Sequence, residues 1–414
     1  MKLLTFLGVS KYEETVYIWR DKEHLSRFAP VASCHFLQPD QLIVFLTEEA
    51  EQQVFEELKA NLPKHLDIRP VPVPLGKDDH ELWQIFDQVT GAVSAGEDVA
   101  FDITHGLRSF PLLGLLVAAF LRSGLEVNVR AVLYGAFDVR DQNTIPHRTP
   151  MFDLTTQLTL LEWAVAADRF NRTGDARYLA SLVKNQQKDL AIKAGKNPEL
   201  LDQIGRLSNL AGALTSISQS LQLIRPYQAM EQIAGLGERI EKAHPGLEMA
   251  AAARPFSLLL ESIVNTYEPL AQADPLNVGN LHQTLLVERN MIHWYVERER
   301  WIQAVSLARE WLVSWVMIQL GMVNITKLSA RHRIENVVGG EANDFLNAKQ
   351  TGQTFTPVFL ASLQNVENIL SLWLELTDVR NDIDHAGMRE NPRKPEDLIQ
   401  QIELCIDKIN HLPL

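Results

Sequence analysis

Cysteine is nearly absent. Cys34 and Cys405 are the whole complement of a 414-residue chain, which leaves no disulfide framework and no zinc pattern and fits a reducing cytoplasm. Long apolar runs are also missing. The longest, "FPLLGLLVAAFL" from Phe110 to Leu121, is about 12 residues, short of the ~20 that a membrane-crossing helix needs. The opening "MKLLTFLGVSKYEE" is too briefly apolar for a secretory signal. Positive charge is in deficit, with 39 Lys and Arg against 52 Asp and Glu and a net charge of −13. Such a chain is a poor non-specific coat for nucleic acid, although a small basic cleft remains open to it. No Walker motif, His-Glu-x-x-His or paired cysteines occur, so a metal site has no support. "GLGE" at 235–238 lacks a preceding strand and is too short for a phosphate loop. No fixed-period repeat or low-complexity tract stands out. The expectation is a soluble, cytoplasmic protein with no membrane partner.

What is present is enough apolar residue, 46%, to bury sizeable cores, and enough length for two or three domains. Over residues 1–150, short apolar or β-branched runs lie at 3–9, 41–47, 68–73, 98–104 and 125–135. Helical patterns fall between them at 48–62 and 78–93. Strands alternating with helices predict an α/β, Rossmann-like, mostly parallel sheet. The turn-rich segment "DQNTIPHRTPMFDLT" (141–155) reads as the exit from this domain. From 151 to 414 strand signals nearly vanish. Helical spacing marks 158–170, 175–195, 201–224, 300–320 and 356–380, predicting an all-α domain with a helical insertion around 175–280. The tryptophans of "REWLVSWVMIQL" recur at helical spacing and read as core.

The most informative stretch near the N-terminus is "FDITHGLRSFP" (101–111). Asp102 to Thr104 end an apolar strand, Gly106 allows a tight turn, and Ser109 can cap a helix with Pro111 in its first turn. Parallel sheets bind ligands outside the carboxyl ends of their strands, where helix N-termini offer free N–H groups to anions. Thr104, His105, Gly106, Arg108 and Ser109 would face such a ligand, with Gly8, Val9 and Ser10 as the neighbouring wall. The helix that follows is apolar all round, which calls for burial on more than one face, by a core or by a second copy.

Near the C-terminus the chain reads "LTDVRNDIDHAGMRENPRKP". Histidine can transfer protons near neutrality, arginine can hold a phosphate oxygen in a fork, and an asparagine amide can orient either. Arg380, Asn381 and His385 thus form a candidate site for metal-free RNA cleavage. The spacing alone settles nothing. Twelve histidines make an accidental match expected, and Arg239/His244 shows the same spacing. "ERNMIHWYVERER" offers Arg289, Asn290 and His293, one residue short, in what reads as a salt-bridged surface helix. On one ideal helix, residues five apart diverge by about 140°, so Arg380 and His385 must leave helical geometry or act across two copies. Asp382 and Asp384 read as solvated or orienting groups.

"DITHGLRSFP", followed by "VLYGAFD" and "PMFDLTTQLTLLEW", resembles the CRISPR-associated Rossmann fold (CARF) proteins, and more narrowly those with a C-terminal HEPN ribonuclease domain. The resemblance covers both ends of the chain. It implies a homodimer of type III CRISPR defence whose CARF domains bind a cyclic oligoadenylate, tetra-adenylate in preference to hexa-adenylate. It further implies that the HEPN domains then cleave single-stranded RNA to 2′,3′-cyclic phosphate products without a metal cofactor. By the family motif, Thr104, His105, Gly106 and Arg108 fall in the ligand pocket and Arg380, Asn381 and His385 in the nuclease site. Two rivals stand beside this: a non-catalytic CARF adaptor, and a ring nuclease degrading the cyclic oligoadenylate in the CARF pocket.

Overall fold

The aliphatic and β-branched runs of the N-terminal part assemble into one eight-stranded sheet of order β3-β2-β8-β7-β6-β1-β4-β5. The computed structural model describes residues 1–106, 109–249, 254–388 and 391–414. Its strands are β1 (Lys2–Leu7), β2 (Thr15–Trp19), β3 (Lys22–Ser26), β4 (Gln41–Leu46), β5 (Asp67–Pro72), β6 (Asp98–Asp102), β7 (Asn128–Gly135) and β8 (His147–Asp153). The run β5-β4-β1-β6-β7 is parallel throughout. These are the five strands expected from the sequence. β1 and β4 are buried on both faces, as parallel strands covered by helices are.

The other three strands were not among those expected, although β2, "TVYIW", is β-branched and aromatic throughout. β8 pairs antiparallel with β7, β2 lies parallel to β8, and β3 closes the edge antiparallel to β2. β8 contains Pro150 and sits in the segment read as a domain exit; proline weakens the strand signal. β3, "KEHLS", is polar in the manner of edge strands. What recruits them is pairing at a distance, seen in the 2.7 Å contact between the Thr15 and Thr149 hydroxyls.

The helices of this part are α1 (Ala29–Leu37), α2 (Glu48–Ala50), α3 (Glu56–Ala60), α4 (Asp79–Gly91) and α5 (Ser109–Gly124), with a π turn joining α2 to α3. Asp78 caps α4 by accepting from the Glu81 N–H at 2.9 Å. α5 is not buried all round. Val117, Ala118 and Leu121 are buried, whereas Leu112, Leu116 and Phe120, four residues apart, form an exposed apolar stripe.

The chain divides into two compact units, Met1–Glu162 and Trp163–Leu414, with α6 (Thr155–Thr173) leading from one into the other. The second unit is helical: α7 (Arg177–Ala194), α8 (Pro198–Gln222), α9 (Pro226–Ala234), α10 (Leu236–Met249), α11 (Arg254–Tyr267), α12 (Leu281–Val296), α13 (Trp301–Gln319), α14 (Leu328–Thr351), α15 (Val366–Asp384) and α16 (Pro395–Asn410). Trp311 and Trp315 are buried in its core, as their spacing suggested. Their indole N–H groups donate to the carbonyls of Leu285 and Pro413, and the Tyr267 hydroxyl donates to the Gly174 carbonyl at 2.8 Å. Buried aromatics of this kind need such partners for their polar ends.

Two sequence expectations change here. Residues 356–365 are not helical. Pro357 disfavours a helical residue before it, and the N–H groups of Val358 and Leu360 donate instead to the buried Glu341 carboxylate. α12 is no salt-bridged surface helix either, because Glu288, Met291, Ile292, Trp294 and Tyr295 on it are buried.

Gly174 links α6 to α7 with a positive φ of 63°, and a Cβ there would lie 2.0 Å from the Trp294 ring. Gly174→Ala is expected to lower stability by about 3 kcal/mol or more, through left-handed strain and overpacking, measured by denaturant unfolding against wild type.

Candidate functional site

The carboxyl ends of β1, β6 and β7 are drawn together by groups that each need a partner. Asp102, the last residue of β6, is fully buried. Its carboxylate accepts from the Ser33 hydroxyl of α1 at 2.5 Å and from the Thr104 N–H at 2.9 Å. Burial pushes its pKa upward against those bonds. The Thr104 hydroxyl accepts the Gly135 N–H at 2.8 Å, tying the end of β6 to β7. Gly135 has no room for a side chain, since a Cβ would meet Tyr17 at 2.8 Å. At Gly8 a Cβ would lie 3.3 Å from the Gly106 Cα, so the loops after β1 and β6 touch backbone to backbone. Gly106 holds φ +110°, a conformation that favours glycine.

These contacts leave a cavity of about 210 Å³ lined by Ser10, Lys11, Tyr12, Glu13, Tyr17, Arg27, Thr104, His105, Tyr134, Gly135, Phe137 and Asp138. Of the residues expected from the sequence, Ser10, Thr104 and His105 line it. Gly8 and Gly106 touch each other but are not in the lining, and Val9, 44% exposed, lies outside it as well. Arg108 falls outside the described residues, as does the side chain of Ser109; the helix itself begins at Ser109. Tyr12, Arg27 and Phe137 were missed. They come from loops and a strand end without periodicity, and only the fold brings them here. The Tyr12 hydroxyl donates to the Gly8 carbonyl at 2.5 Å, and Arg27 donates to the Tyr12 carbonyl and pairs with Glu57. Charge in the lining balances, Lys11 and Arg27 against Glu13 and Asp138.

His105 is more constrained than its sequence context suggests. Its Nε2 accepts the N–H of Ala29, the first residue of α1, at 3.0 Å, and its ring stands edge-on to Tyr12 at 4.7 Å. In the neutral ring the proton therefore sits on Nδ1. Burial lowers the pKa from 6.5 to about 3, so the ring stays neutral at physiological pH and offers a donor in place of a base.

At the other end of the chain, α15 continues through Asp384, and His385 is its C-cap. The Arg380 and His385 side chains thus leave the helix about 140° apart, and one copy alone does not bring them together. Arg380, Asn381 and His385 are all exposed. Arg380 Nε is paired with Asp384 at 3.1 Å. Asp384 thus matches its reading as an orienting group, but Asp382 is not solvated. It is 3% exposed and accepts from Arg393, which also binds Asp378. Ala386 and Gly387, both at positive φ, turn the chain out of the helix, and the Gly387 N–H returns to the Asp382 carbonyl at 2.9 Å.

The competing histidines are placed elsewhere. His244 is exposed, 3.7 Å from Glu248, and Arg239 donates to the Gln232 carbonyl. His293 Nε2 contacts the Asn410 amide oxygen at 2.6 Å, and Asn290 donates to the Pro269 carbonyl. Among the described residues no group of three or more His, Cys, Asp or Glu side chains is placed to hold a metal ion, and no helix is long and apolar enough to cross a membrane.

Comparison with known proteins bears on the helical unit. Residues 159–271 match the family model described as the second domain of CRISPR-associated protein MJ1674. A 157-residue stretch is 26% identical to the CRISPR-associated protein MJ1674 of Methanocaldococcus jannaschii, covering 37% of this chain and 23% of that protein. The chain thus matches about a quarter of the relative's length. The helices read from sequence as an insertion at 175–280 largely coincide with the matched domain.

Because His105 is neutral when folded and titrates near 6.5 when unfolded, its contribution to stability is complete above pH 6.5 and drains as pH falls towards 3. The wild-type melting temperature should therefore fall between about pH 7 and pH 5 more steeply than that of His105→Gln, compared by thermal melts across that range.

Proposed function

We propose, from the likeness of residues 159–271 to the second domain of CRISPR-associated protein MJ1674, that this chain is a dimeric endoribonuclease switched on by a cyclic oligoadenylate. The observation that carries the reading is the pocket at the ends of β1, β6 and β7, where Thr104 and His105 meet four aromatic rings, Tyr12, Tyr17, Tyr134 and Phe137, with no net charge in the lining. Such a lining suits nucleobases on aromatic faces and a ribose-phosphate backbone on hydroxyl and N–H donors better than it suits a bare polyanion. At about 210 Å³ the cavity is smaller than the ~300–1,000 Å³ of whole small-molecule sites, so a cyclic oligonucleotide spans two copies. The exposed stripe Leu112, Leu116 and Phe120 on α5 supplies an apolar face for such a pairing.

The chemistry falls to Arg380, Asn381 and His385. The 2′-oxygen of a ribose loses its proton and attacks the adjacent phosphorus, and the bond from phosphorus to the 5′-oxygen breaks as that oxygen gains a proton. The products are a 2′,3′-cyclic phosphate and a 5′-hydroxyl. His385 serves the proton transfer, Arg380 the phosphorane charge, and Asn381 the orientation of substrate. Arg380 must exchange its Asp384 partner for phosphate, and its divergence from His385 calls for one residue from each copy. The fixed Nε2 and neutral ring of His105 favour ligand binding over ligand cleavage in the sheet pocket.

The test is cleavage of a fluorescent single-stranded RNA in EDTA, with cyclic tetra-adenylate, with cyclic hexa-adenylate and with neither. Cleavage should require an activator, favour the tetra-adenylate, and drop by about a hundredfold or more in His385→Ala. Cleavage that His385→Ala leaves intact would sink the site assignment. Ligand binding without cleavage would favour an adaptor.

A further inference from the structure

Arg309, on α13, is 8% exposed and has no ion pair among the described residues. Its guanidinium lies 3.1 Å from the centre of the Trp373 ring on α15, and its buried Nε and Nη1 have no hydrogen-bond partner. Its neighbour Arg331 shows what a structural arginine looks like in the same region. Arg331 donates to the Ser314 hydroxyl, to the carbonyls of Ile325 and Glu310, and to the Glu310 carboxylate at 2.6 Å. A buried guanidinium with two empty donors costs stability, since each N–H has given up water for nothing. Burial, the largest effect, lowers its pKa to about 10 against the opposing charges of Glu335 and Glu310, with Arg380 and Arg331 lowering it less strongly, which leaves it a cation near neutrality.

Its position connects this cost to the C-terminal site. Trp373 and Arg380 are seven residues apart on α15 and so lie within about 20° of one another on one helical face. The guanidinium stacked on Trp373 therefore stands on the stripe that carries Arg380. We propose that Arg309 is a second phosphate-binding cation of the Arg380 site, and that a phosphodiester of the RNA strand beside the scissile one fills its empty donors. Planar stacking on Trp373 fixes the orientation of the guanidinium, an arrangement lysine cannot reproduce. The inference rests on the nuclease reading of Arg380 and His385.

The test uses the full chain with its activator and compares wild type, Arg309→Met and Arg309→Lys. Three quantities are measured: melting temperature, affinity for a non-cleavable 2′-deoxy-substituted strand at several salt concentrations, and RNA cleavage. Arg309→Met keeps the packing on Trp373 and removes the charge, so it should melt at or above wild type. It should bind the strand about ten- to a hundredfold more weakly, with a salt slope smaller by about one. Arg309→Lys should recover the salt slope but not the full affinity. A Met variant that melts lower, while both variants bind the strand like wild type, would make Arg309 a structural clamp and overturn the proposal. Absence of strand binding by wild type would overturn it too. Wild-type binding without cleavage would sink the nuclease reading alone, because affinity and salt slope still report on Arg309.

Discussion

The Asp102 carboxylate has no access to water, and the sheet pocket is assembled from what that burial demands. One oxygen takes the Ser33 hydroxyl, which fixes α1 against the end of β6, and the other takes the Thr104 N–H, which turns the chain away from the strand. That turn places the Thr104 hydroxyl on the Gly135 N–H and the His105 ring on the N-terminus of α1. Three elements, α1, β6 and β7, are thereby held by a short relay of hydrogen bonds, beside the cavity. An unpaired polar group in this setting costs several times what a paired one contributes, so the relay is restrictive: losing one member exposes the need of the next.

The same constraint acts differently in the helical unit. Around the end of α15 most polar groups are answered. Arg393 binds Asp378 and Asp382, Asp384 holds Arg380, and Glu341 collects the N–H groups of the preceding loop. Arg309 is the exception in that neighbourhood. Natural chains give up stability at sites where function needs a group poised and unsatisfied, and a buried cation beside an exposed arginine fits that pattern.

The two sites also differ in how they would meet an anion. The sheet pocket offers a neutral imidazole, hydroxyls and aromatic rings in a lining of balanced charge. The end of α15 offers arginines already paired with carboxylates, Arg380 with Asp384 and Arg393 with Asp378 and Asp382, which an anion would have to displace. A chain of net charge −13 suppresses non-specific nucleic-acid binding.

The sequence by itself determined the five parallel strands, the largely helical character of the chain after residue 155, and the residue types able to do chemistry at 104–105 and 380–385. Each of these is carried by local periodicity or by neighbours a few residues apart, which a linear reading can register. The tertiary structure alone decided the rest. β3 and β8 carry weak local signals, through polar composition or Pro150, and are recruited by pairing with distant partners, whereas β2, "TVYIW", carries a legible β-branched and aromatic signal that is absent from the five expected runs. Tyr12 and Arg27 enter the pocket from loops, and a histidine that reads as a possible base becomes a neutral helix cap once buried against Ala29. Asp382, polar in a polar stretch, is buried because Arg393 reaches back to it. Burial and long-range pairing depend on what the rest of the chain brings to a residue, and that information is not local to it.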